Sequence, residues 1–170
     1  MSAGAGPALR KVAPCLWFDG QAEMAANFYV GLLPDSRIDQ VSRYGEGARF
    51  SAGTALMVEF TLAGQRYQAL NGGPHAVHSD AVSFSIDCED AAEVDHYWSA
   101  LVANGGTDGQ CGWCRDQFGV SWQVVPRGLG VLLSDPDPGR RGRAMQAMLA
   151  MKKLDLAAMR AAADADGSAR

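Results

Sequence analysis

Two glutamines occupy equivalent places in two similar segments of this chain, and a side-chain amide can bind a neutral polar molecule. Gln68 stands in the run Tyr-Gln-Ala-Leu and Gln123 in the run Trp-Gln-Val-Val. An amide offers two donors and an acceptor and carries no charge. Two amides facing one cavity would suit a ligand with carbonyl or hydroxyl groups. The alternative is that both glutamines cross-link strands through hydrogen bonds.

Four further side chains are candidates for ligand binding. Glu59 is the carboxylate of the first half that a cavity could accommodate, where it would act as a lone general base. Arg115 either pairs with Asp116 in a turn or holds an anionic ligand through two hydrogen bonds. Trp17 and Trp113 fall outside the predicted cores, so either indole ring could form the wall of a pocket. No residue is assigned a catalytic role.

Cys111 and Cys114 form a C-x-x-C pair, a spacing known from redox and zinc sites. A redox pair sits at a helix N-terminus, where the helix dipole lowers a thiol pKa, but a strand is predicted here over residues 111–115. A zinc site would need a second pair of ligands, for which the sequence offers His75-x-x-His78. Buried or half-buried thiols are therefore expected.

The elements that position these candidates occur twice. Five apolar positions recur 69 residues later, with the i, i+3, i+4, i+7, i+8 spacing of one buried helix face. They are Ala25, Phe28, Tyr29, Leu32 and Leu33 in the first copy and Val94, Tyr97, Trp98, Leu101 and Val102 in the second. A whole module is thus used twice, and a cleft within or between the copies is a natural ligand site.

Each copy consists of a strand, a helix and then two or three strands, which predicts an α+β fold of two βαβββ modules. The expected divisions are a disordered lead-in at residues 1–11, a first module at 12–74, a second module at 75–130 and a C-terminal helical extension at 131–170. The extension is rich in alanine and methionine over residues 138–163 and must bury apolar surface. It packs either on its own domain or across a dimer interface, and we expect a homodimer.

Charge and hydropathy argue against several classes of partner. The 170 residues carry a formal net charge of −4 and the pI is near 5.3, whereas binding to nucleic-acid phosphates needs a basic surface. No run of about 18 apolar residues is present that could span a membrane. Four cysteines in a chain of this length do not make a disulfide framework, which predicts a cytoplasmic protein with reduced thiols.

The segment from Cys111 to Pro126, Cys-Gly-Trp-Cys-Arg-Asp-Gln-Phe-Gly-Val-Ser-Trp-Gln-Val-Val-Pro, resembles the PhnB-like branch of the vicinal oxygen chelate superfamily. This superfamily includes glyoxalases, bleomycin resistance proteins and dioxygenases, and the branch carries the label 3-demethylubiquinone-9 3-methyltransferase. The likeness extends over residues 12–163. Other stretches that fit the branch are Trp17-Phe18-Asp19-Gly20, Asn27-Phe28-Tyr29, Ser83-Phe84-Ser85-Ile86-Asp87-Cys88, Asp95-His96-Tyr97-Trp98 and Met151-Lys152-Lys153-Leu154-Asp155.

The resemblance implies a glyoxalase-like fold in which each module forms a half-open sheet whose concave face holds the ligand. Many members bind a divalent metal there through side chains of the first and last strands of each module, and the metal polarises the substrate. The corresponding positions in this chain are Pro14, Gln68, Val82 or Ser83, and Gln123. Because neutral amides alone are poor ligands for Zn²⁺, Ni²⁺ or Fe²⁺, we expect neither a metal nor another cofactor.

The sequence therefore favours a small-molecule binding protein on a glyoxalase-like fold, without the usual metal site. The ligand is unidentified, and its candidate contacts are Gln68, Gln123, Trp17, Glu59, Trp113 and Arg115. One alternative is an enzyme on the same fold, of the metal-dependent lyase, isomerase or dioxygenase type or the methyltransferase of the label. Against methyl transfer, the chain lacks the glycine-rich turn that binds such donors in doubly wound sheets. Another alternative is an interaction scaffold whose cavity is filled by side chains.

Overall fold

The computed structural model describes residues 11–165 and divides the chain into two compact units, Met1–Val77 and His78–Arg170. The described elements of the first unit are β1 (Cys15–Phe18), α1 (Ala22–Leu32), β2 (Arg37–Arg43), β3 (Ala55–Leu62) and β4 (Gln65–Asn71). Those of the second unit are β5 (Ser83–Cys88), α2 (Ala91–Val102), β6 (Thr107–Asp108), β7 (Trp113–Arg115), β8 (Ser121–Pro126), α3 (Leu129–Leu133), α4 (Pro138–Leu149) and α5 (Leu156–Asp164). Apart from Lys11, the predicted lead-in lies outside the described residues, as does the end of the predicted extension at 166–170.

The sheet of the first unit has the strand order β1-β4-β3-β2. β1 pairs with β4 in parallel, and the other neighbouring strands are antiparallel. Parallel neighbours need a crossover connection, which includes α1, and this helix packs against β3 and β4. Val58, Phe60 and Ala69 are buried on the helix side of the sheet. The Tyr29 ring of α1 lies 6.4 Å from the Phe60 ring between centroids.

Asn71, at the end of β4, caps α1 from a distant point in the chain. Gln21 precedes the helix but makes no cap hydrogen bond with its side chain. Instead, the backbone N–H of Ala22 donates to Asn71 Oδ1 at 2.9 Å, and Asn71 Nδ2 donates to the Ala55 carbonyl oxygen at 2.9 Å. Because Asn71 is fully buried, its amide satisfies a helix-end donor and links the helix to two strands.

The second unit repeats this topology. Its strand order is β5-β8-β7-β6, with β5 parallel to β8 and the other neighbours antiparallel. The predicted N-cap of α2 is confirmed, because the Asp90 carboxylate accepts from the backbone N–H of Glu93 at 2.9 Å. The buried residues of α2 are Val94, Tyr97, Trp98 and Leu101. The prediction of tandem βαβββ modules with a C-terminal helical extension is therefore confirmed.

The strand predicted over residues 111–115 is shorter than expected. β7 begins at Trp113, because Cys111 and Gly112 have left-handed φ angles of 57° and 83°. A Cβ atom at residue 112 would lie 2.9 Å from both Leu154 Cδ1 and the Val124 carbonyl oxygen. Glycine is thus required by conformation and by space, and the C-x-x-C pair spans a turn and a strand start.

The C-terminal extension forms helices with a buried cluster of their own. The helix predicted over residues 138–163 is broken between α4 and α5, where the Asp155 carboxylate caps α5 by accepting from the Ala158 N–H at 2.9 Å. The cluster consists of Leu132, Ala144, Leu154, Met159 and Ala163. Within residues 11–165, no helix has the length and apolar character that crossing a membrane requires.

The connection between α4 and α5 attaches the extension to the sheet of the second unit. The backbone N–H groups of Cys111 and Gly112 donate to the carbonyl oxygens of Met151 and Lys152 at 2.8 and 2.7 Å. These bonds fix the extension beside the start of β7. Part of its apolar surface is therefore buried within its own unit, and the homodimer stays a prediction.

Asp116 organises the turn between β7 and β8. The residue is 3% exposed. One carboxylate oxygen accepts from the N–H groups of Phe118 at 2.8 Å and Val120 at 3.1 Å, and the other accepts from Trp122 Nε1 at 2.8 Å. The prediction of an ion pair between Arg115 and Asp116 is therefore wrong, because the buried carboxylate faces donors of its own turn and Trp122.

Replacing Asp116 by asparagine should destabilise the protein. All three hydrogen bonds use the carboxylate as acceptor, so the amide NH₂ of the Asp116→Asn variant would face a donor. We expect the free energy of unfolding to fall by about 1–3 kcal/mol in urea denaturation. Asp87→Asn is the matched control, because Asp87 is exposed on β5, and its effect should stay below about 0.5 kcal/mol. Equal stability of the two variants would contradict this role of Asp116.

Candidate functional site

Each sheet has one face buried by its helix and one face that carries polar side chains. Successive residues of a strand point to opposite faces, and residues in register on neighbouring strands share a face. The cross-strand pairs on the polar faces are Thr61 with Arg66, Glu59 with Gln68, Arg115 with Ser121, and Trp113 with Gln123. The predicted site residues thus lie on the faces away from the helices, divided between the two units.

In the first unit, Glu59, Gln68 and Arg66 form a polar cluster. Gln68 Nε2 donates to Glu59 Oε1 at 3.0 Å, and Arg66 Nη2 donates to the same oxygen in an ion pair. The Gln68 and Arg66 hydrogen bonds lower the pKa of Glu59. The side chain predicted as a possible lone general base thus has two hydrogen-bonding partners, and a stabilised carboxylate is a poor general base near neutral pH. Arg66 was not predicted from the sequence.

Trp17 is also on the polar face of the first unit, but its polar atom is already used. Trp17 Nε1 donates to the Gly73 carbonyl oxygen at 2.6 Å. The indole ring lies so close to Gly72 that a Cβ atom there would come within 2.2 Å of it. These contacts fix Trp17 against the end of β4, which is a packing role for a half-buried indole.

In the second unit, the Gln123 amide contacts the first strand. Gln123 Nε2 donates to Ser83 Oγ at 2.9 Å. β5 and β8 are the first and last strands of the module, so the positions that the resemblance relates to metal ligands do lie side by side. The contact itself is the strand cross-link considered as the alternative for both glutamines.

Arg115 is held by a carboxylate that the sequence did not indicate. Arg115 Nε and Nη2 donate to Asp80 Oδ1 and Oδ2 at 3.0 and 2.8 Å, and Ser121 Oγ donates to Asp80 Oδ1 at 2.6 Å. The Arg115 and Ser121 hydrogen bonds lower the pKa of Asp80 to about 2, so the side chain is ionised at neutral pH. Asp80 precedes β5 in a turn, 35 residues from Arg115.

A cavity of about 430 Å³ lies beside β6 and β7. Its lining combines the predicted Trp113 and Arg115 with residues that sequence reasoning missed. The missed residues are Asp80, Thr107, Asp108, Gly109 and Gln110, and Cys114 of the C-x-x-C pair completes the lining. Gln123 is not among the lining residues, although it is the cross-strand partner of Trp113. An aromatic wall and a guanidinium therefore meet in one concave site.

The two related metal-ligand positions of the first unit are joined by a backbone hydrogen bond. The first-strand position Pro14 accepts the backbone N–H of Gln68 at 2.9 Å through its carbonyl oxygen. Across residues 11–165, no three or more His, Cys, Asp or Glu side chains are grouped so that they could hold a metal ion.

Burial determines the state of the cysteine thiols. Cys114 is 3% exposed and Cys88 fully buried, and burial raises their pKa values to about 12 and about 11, with nearby carboxylates adding to the effect. Cys111 is partly buried and its Sγ donates to the Met148 carbonyl oxygen at 3.6 Å. All four cysteines are free thiols. A raised pKa is the opposite of what a redox C-x-x-C pair needs.

Comparison with known proteins identifies one family. The family model described as 3-demethylubiquinone-9 3-methyltransferase matches residues 10–125. A PhnB protein from Bacillus cereus that carries the same description is 31% identical, with a TM-score of 0.64, over 69% of this chain and 99% of that chain. Protein PA1353 from Pseudomonas aeruginosa is 19% identical, with a TM-score of 0.56, over 69% of this chain and 97% of that chain, which supports the fold alone. No curated protein matches the chain significantly.

A third solved structure, a glyoxalase/bleomycin resistance protein from Albidiferax ferrireducens T118, is 16% identical with a TM-score of 0.44, over 68% of this chain and 96% of that chain. The family match ends at residue 125, before α3, so it does not extend to residue 163 as the resemblance led us to expect. The helical extension is an addition to the matched region.

The thiols should differ in their reaction with iodoacetamide near pH 7. Cys15 is exposed and should be alkylated in the native protein, because accessibility is a condition for reaction. Cys88 and Cys114 should remain unmodified until the protein is unfolded. Peptide mass spectrometry measures each site separately, and a Cys15→Ser variant controls for the assignment. Native alkylation of Cys114 as fast as that of Cys15 would contradict the burial of Cys114 and restore the redox hypothesis.

Proposed function

This chain belongs to the family described as 3-demethylubiquinone-9 3-methyltransferase, and we propose that it binds a small organic molecule in the cavity beside β6 and β7. The observation that carries the proposal is the meeting of Trp113 and Arg115 in one concave site of about 430 Å³. This volume is within the range of about 300–1,000 Å³ that is typical of small-molecule sites.

The lining residues suit a ligand with an apolar body and a polar end. The partly buried indole of Trp113 offers a broad contact surface, and the Arg115 guanidinium, with its side chain 45% exposed, can reach a polar group at the opening. Thr107 and Gln110 add neutral polar atoms to the lining. Such a combination fixes the orientation of a ligand while most of its contact area stays apolar.

The proposed binding does not use a metal in the position related to the superfamily's metal sites. Gln68 donates to Glu59, and Gln123 donates to Ser83, so both amides are engaged. The remaining related positions are Pro14 and either Val82 or Ser83, none of which is a strong ligand for a transition metal. These residues do not fit the donor set of imidazoles, thiolates or carboxylates that Zn²⁺, Ni²⁺ or Fe²⁺ prefers.

The description of the family favours a second candidate function, methyl transfer. A donor such as S-adenosylmethionine commonly binds a glycine-rich turn after the first strand of a doubly wound parallel sheet. In this chain the connection from β1 to α1 is Asp19-Gly20-Gln21, and each sheet is mostly antiparallel. These residues do not fit that donor, so we rank methyl transfer below ligand binding.

Substitution of Trp113 should weaken ligand binding, and substitution of Trp17 should not. We expect a fluorine-NMR fragment screen of the wild-type protein to yield aromatic hits whose affinity falls about tenfold or more in Trp113→Ala, because the indole supplies the main apolar wall. Trp17→Phe is the control, since Trp17 was an equal candidate in the sequence but lies on the other unit's sheet. Hits that bind Trp113→Ala as tightly as wild type would contradict this location.

Incubation with S-adenosylmethionine separates the two candidate functions. We expect calorimetry to show no saturable binding of the donor, and mass spectrometry to show no S-adenosylhomocysteine when 3-demethylubiquinone analogues are added. The reason is the missing glycine-rich turn. Saturable donor binding that survives in Trp113→Ala would favour methyl transfer at another site.

A further inference from the structure

The two carboxylate oxygens of Asp80 receive three hydrogen bonds at the cavity wall. Two come from the Arg115 guanidinium at 3.0 and 2.8 Å and one from Ser121 Oγ at 2.6 Å. Arg115 and Ser121 are cross-strand neighbours on β7 and β8, so the sheet itself fixes these donors. The Asp80 carboxylate belongs to a turn outside the sheet.

We propose that this carboxylate holds the place of a ligand carboxylate, so that the cavity takes small organic acids that displace Asp80 from Arg115, which lines the cavity. The inference rests on the proposed function and names the ligand class for the same cavity. Two parallel N–H donors of arginine match any carboxylate. The acid of a ligand can therefore accept the two Arg115 hydrogen bonds that Asp80 accepts in this structure.

Exposure makes the exchange feasible. The side chains of Asp80 and Arg115 are 58% and 45% exposed, so water and a dissolved ligand can reach both members of the ion pair. Asp80 can leave the pair and remain solvated, because its turn lies at the surface. A ligand acid replaces the Asp80 carboxylate at Arg115 by its own. The apolar body of the ligand also packs on the Trp113 indole, an apolar contact that the short Asp80 side chain does not supply.

The other charged side chains at the cavity cause little electrostatic repulsion of a ligand carboxylate. Asp108, the second carboxylate of the lining, pairs with Lys152 at 2.8 Å. Displacement of Asp80 leaves the Arg115 guanidinium as a cation without its carboxylate partner. Inorganic phosphate has oxygens that could accept from the same donors but no apolar body, so it is included as a separate arm of the test.

The test compares benzoate with benzamide and inorganic phosphate in NMR titrations of the full chain at one fixed ionic strength. Benzoate and benzamide share a ring, and only benzoate carries the charge. Removing the competing carboxylate in Asp80→Asn should tighten benzoate binding about fivefold and change benzamide binding by less than about twofold. Arg115→Gln should weaken benzoate binding at least about tenfold and benzamide binding clearly less, because only benzoate carries a charge that pairs with the guanidinium.

Two controls separate displacement from a general effect of charge. Asp108→Asn removes the other lining carboxylate, and its effect on benzoate should be clearly smaller than that of Asp80→Asn. Arg115→Lys keeps the charge but loses the paired N–H geometry, so it should bind benzoate more weakly than wild type. Circular dichroism melts check that each variant folds, which the exposure of Asp80 favours.

The possible results distinguish failure of this inference from failure of the proposed function. The inference that a ligand acid displaces Asp80 would be overturned by either of two results. One is an unchanged benzoate affinity in Asp80→Asn, and the other is an equal increase of that affinity in Asp80→Asn and Asp108→Asn. If benzamide still binds and its binding still depends on Trp113, the proposed function is retained and only the inference of an organic-acid ligand fails. If the affinity for phosphate rises in Asp80→Asn as much as the affinity for benzoate, the site binds inorganic anions and the organic-acid inference is wrong. If no probe binds any variant, both proposals fail.

Discussion

The parallel pairing of the first and last strands of each unit is the constraint from which the remaining structure follows. β1 lies beside β4 and β5 beside β8, although a helix and two strands separate the partners in the chain. Parallel neighbours cannot be joined by a hairpin, so a helix crosses one face of each sheet. That face becomes the apolar core, and polar side chains collect on the other. The position of the binding face is thus set by strand order before a ligand is considered.

The repeat preserves geometry but not chemistry. Glu59 and Gln68 on β3 and β4 correspond in register to Trp113 and Gln123 on β7 and β8. Two residues away, an arginine faces a hydroxyl in both units, but the strands are exchanged: Arg66 on β4 faces Thr61, whereas Arg115 on β7 faces Ser121. The carboxylate at the Glu59 position is occupied by Arg66 and Gln68 of its own sheet. An indole at the same position in the second unit has no charge to satisfy and can form a wall.

Sequence patterns predicted what depends on local periodicity. The repeated helices and the Asp90 cap could be derived because their apolar spacing and capping chemistry lie within a few residues. The fold followed because the module occurs twice and resembles a known branch. What the patterns missed depends on distant partners: Asp80 is 35 residues from Arg115 and Asn71 is 49 residues from Ala22. The break between α4 and α5 also depends on distant residues, since carbonyl groups of that connection accept hydrogen bonds from the backbone N–H groups of Cys111 and Gly112.

Two aspartates near β7 show why burial, rather than residue type, separates a structural carboxylate from an exchangeable one. Both Asp116 and Asp80 accept three hydrogen bonds, and both lie in turns. Asp116 is 3% exposed and accepts from the backbone of its own turn, so its departure would leave buried donors unsatisfied at a large cost. The Asp80 side chain is 58% exposed and accepts from two side chains, one of which is open to water. Its departure leaves the two Arg115 donors within reach of a ligand or water and only the Ser121 hydroxyl buried, at 1% exposure, which is why the exchangeable position lies at Arg115 and not in the turn beside it.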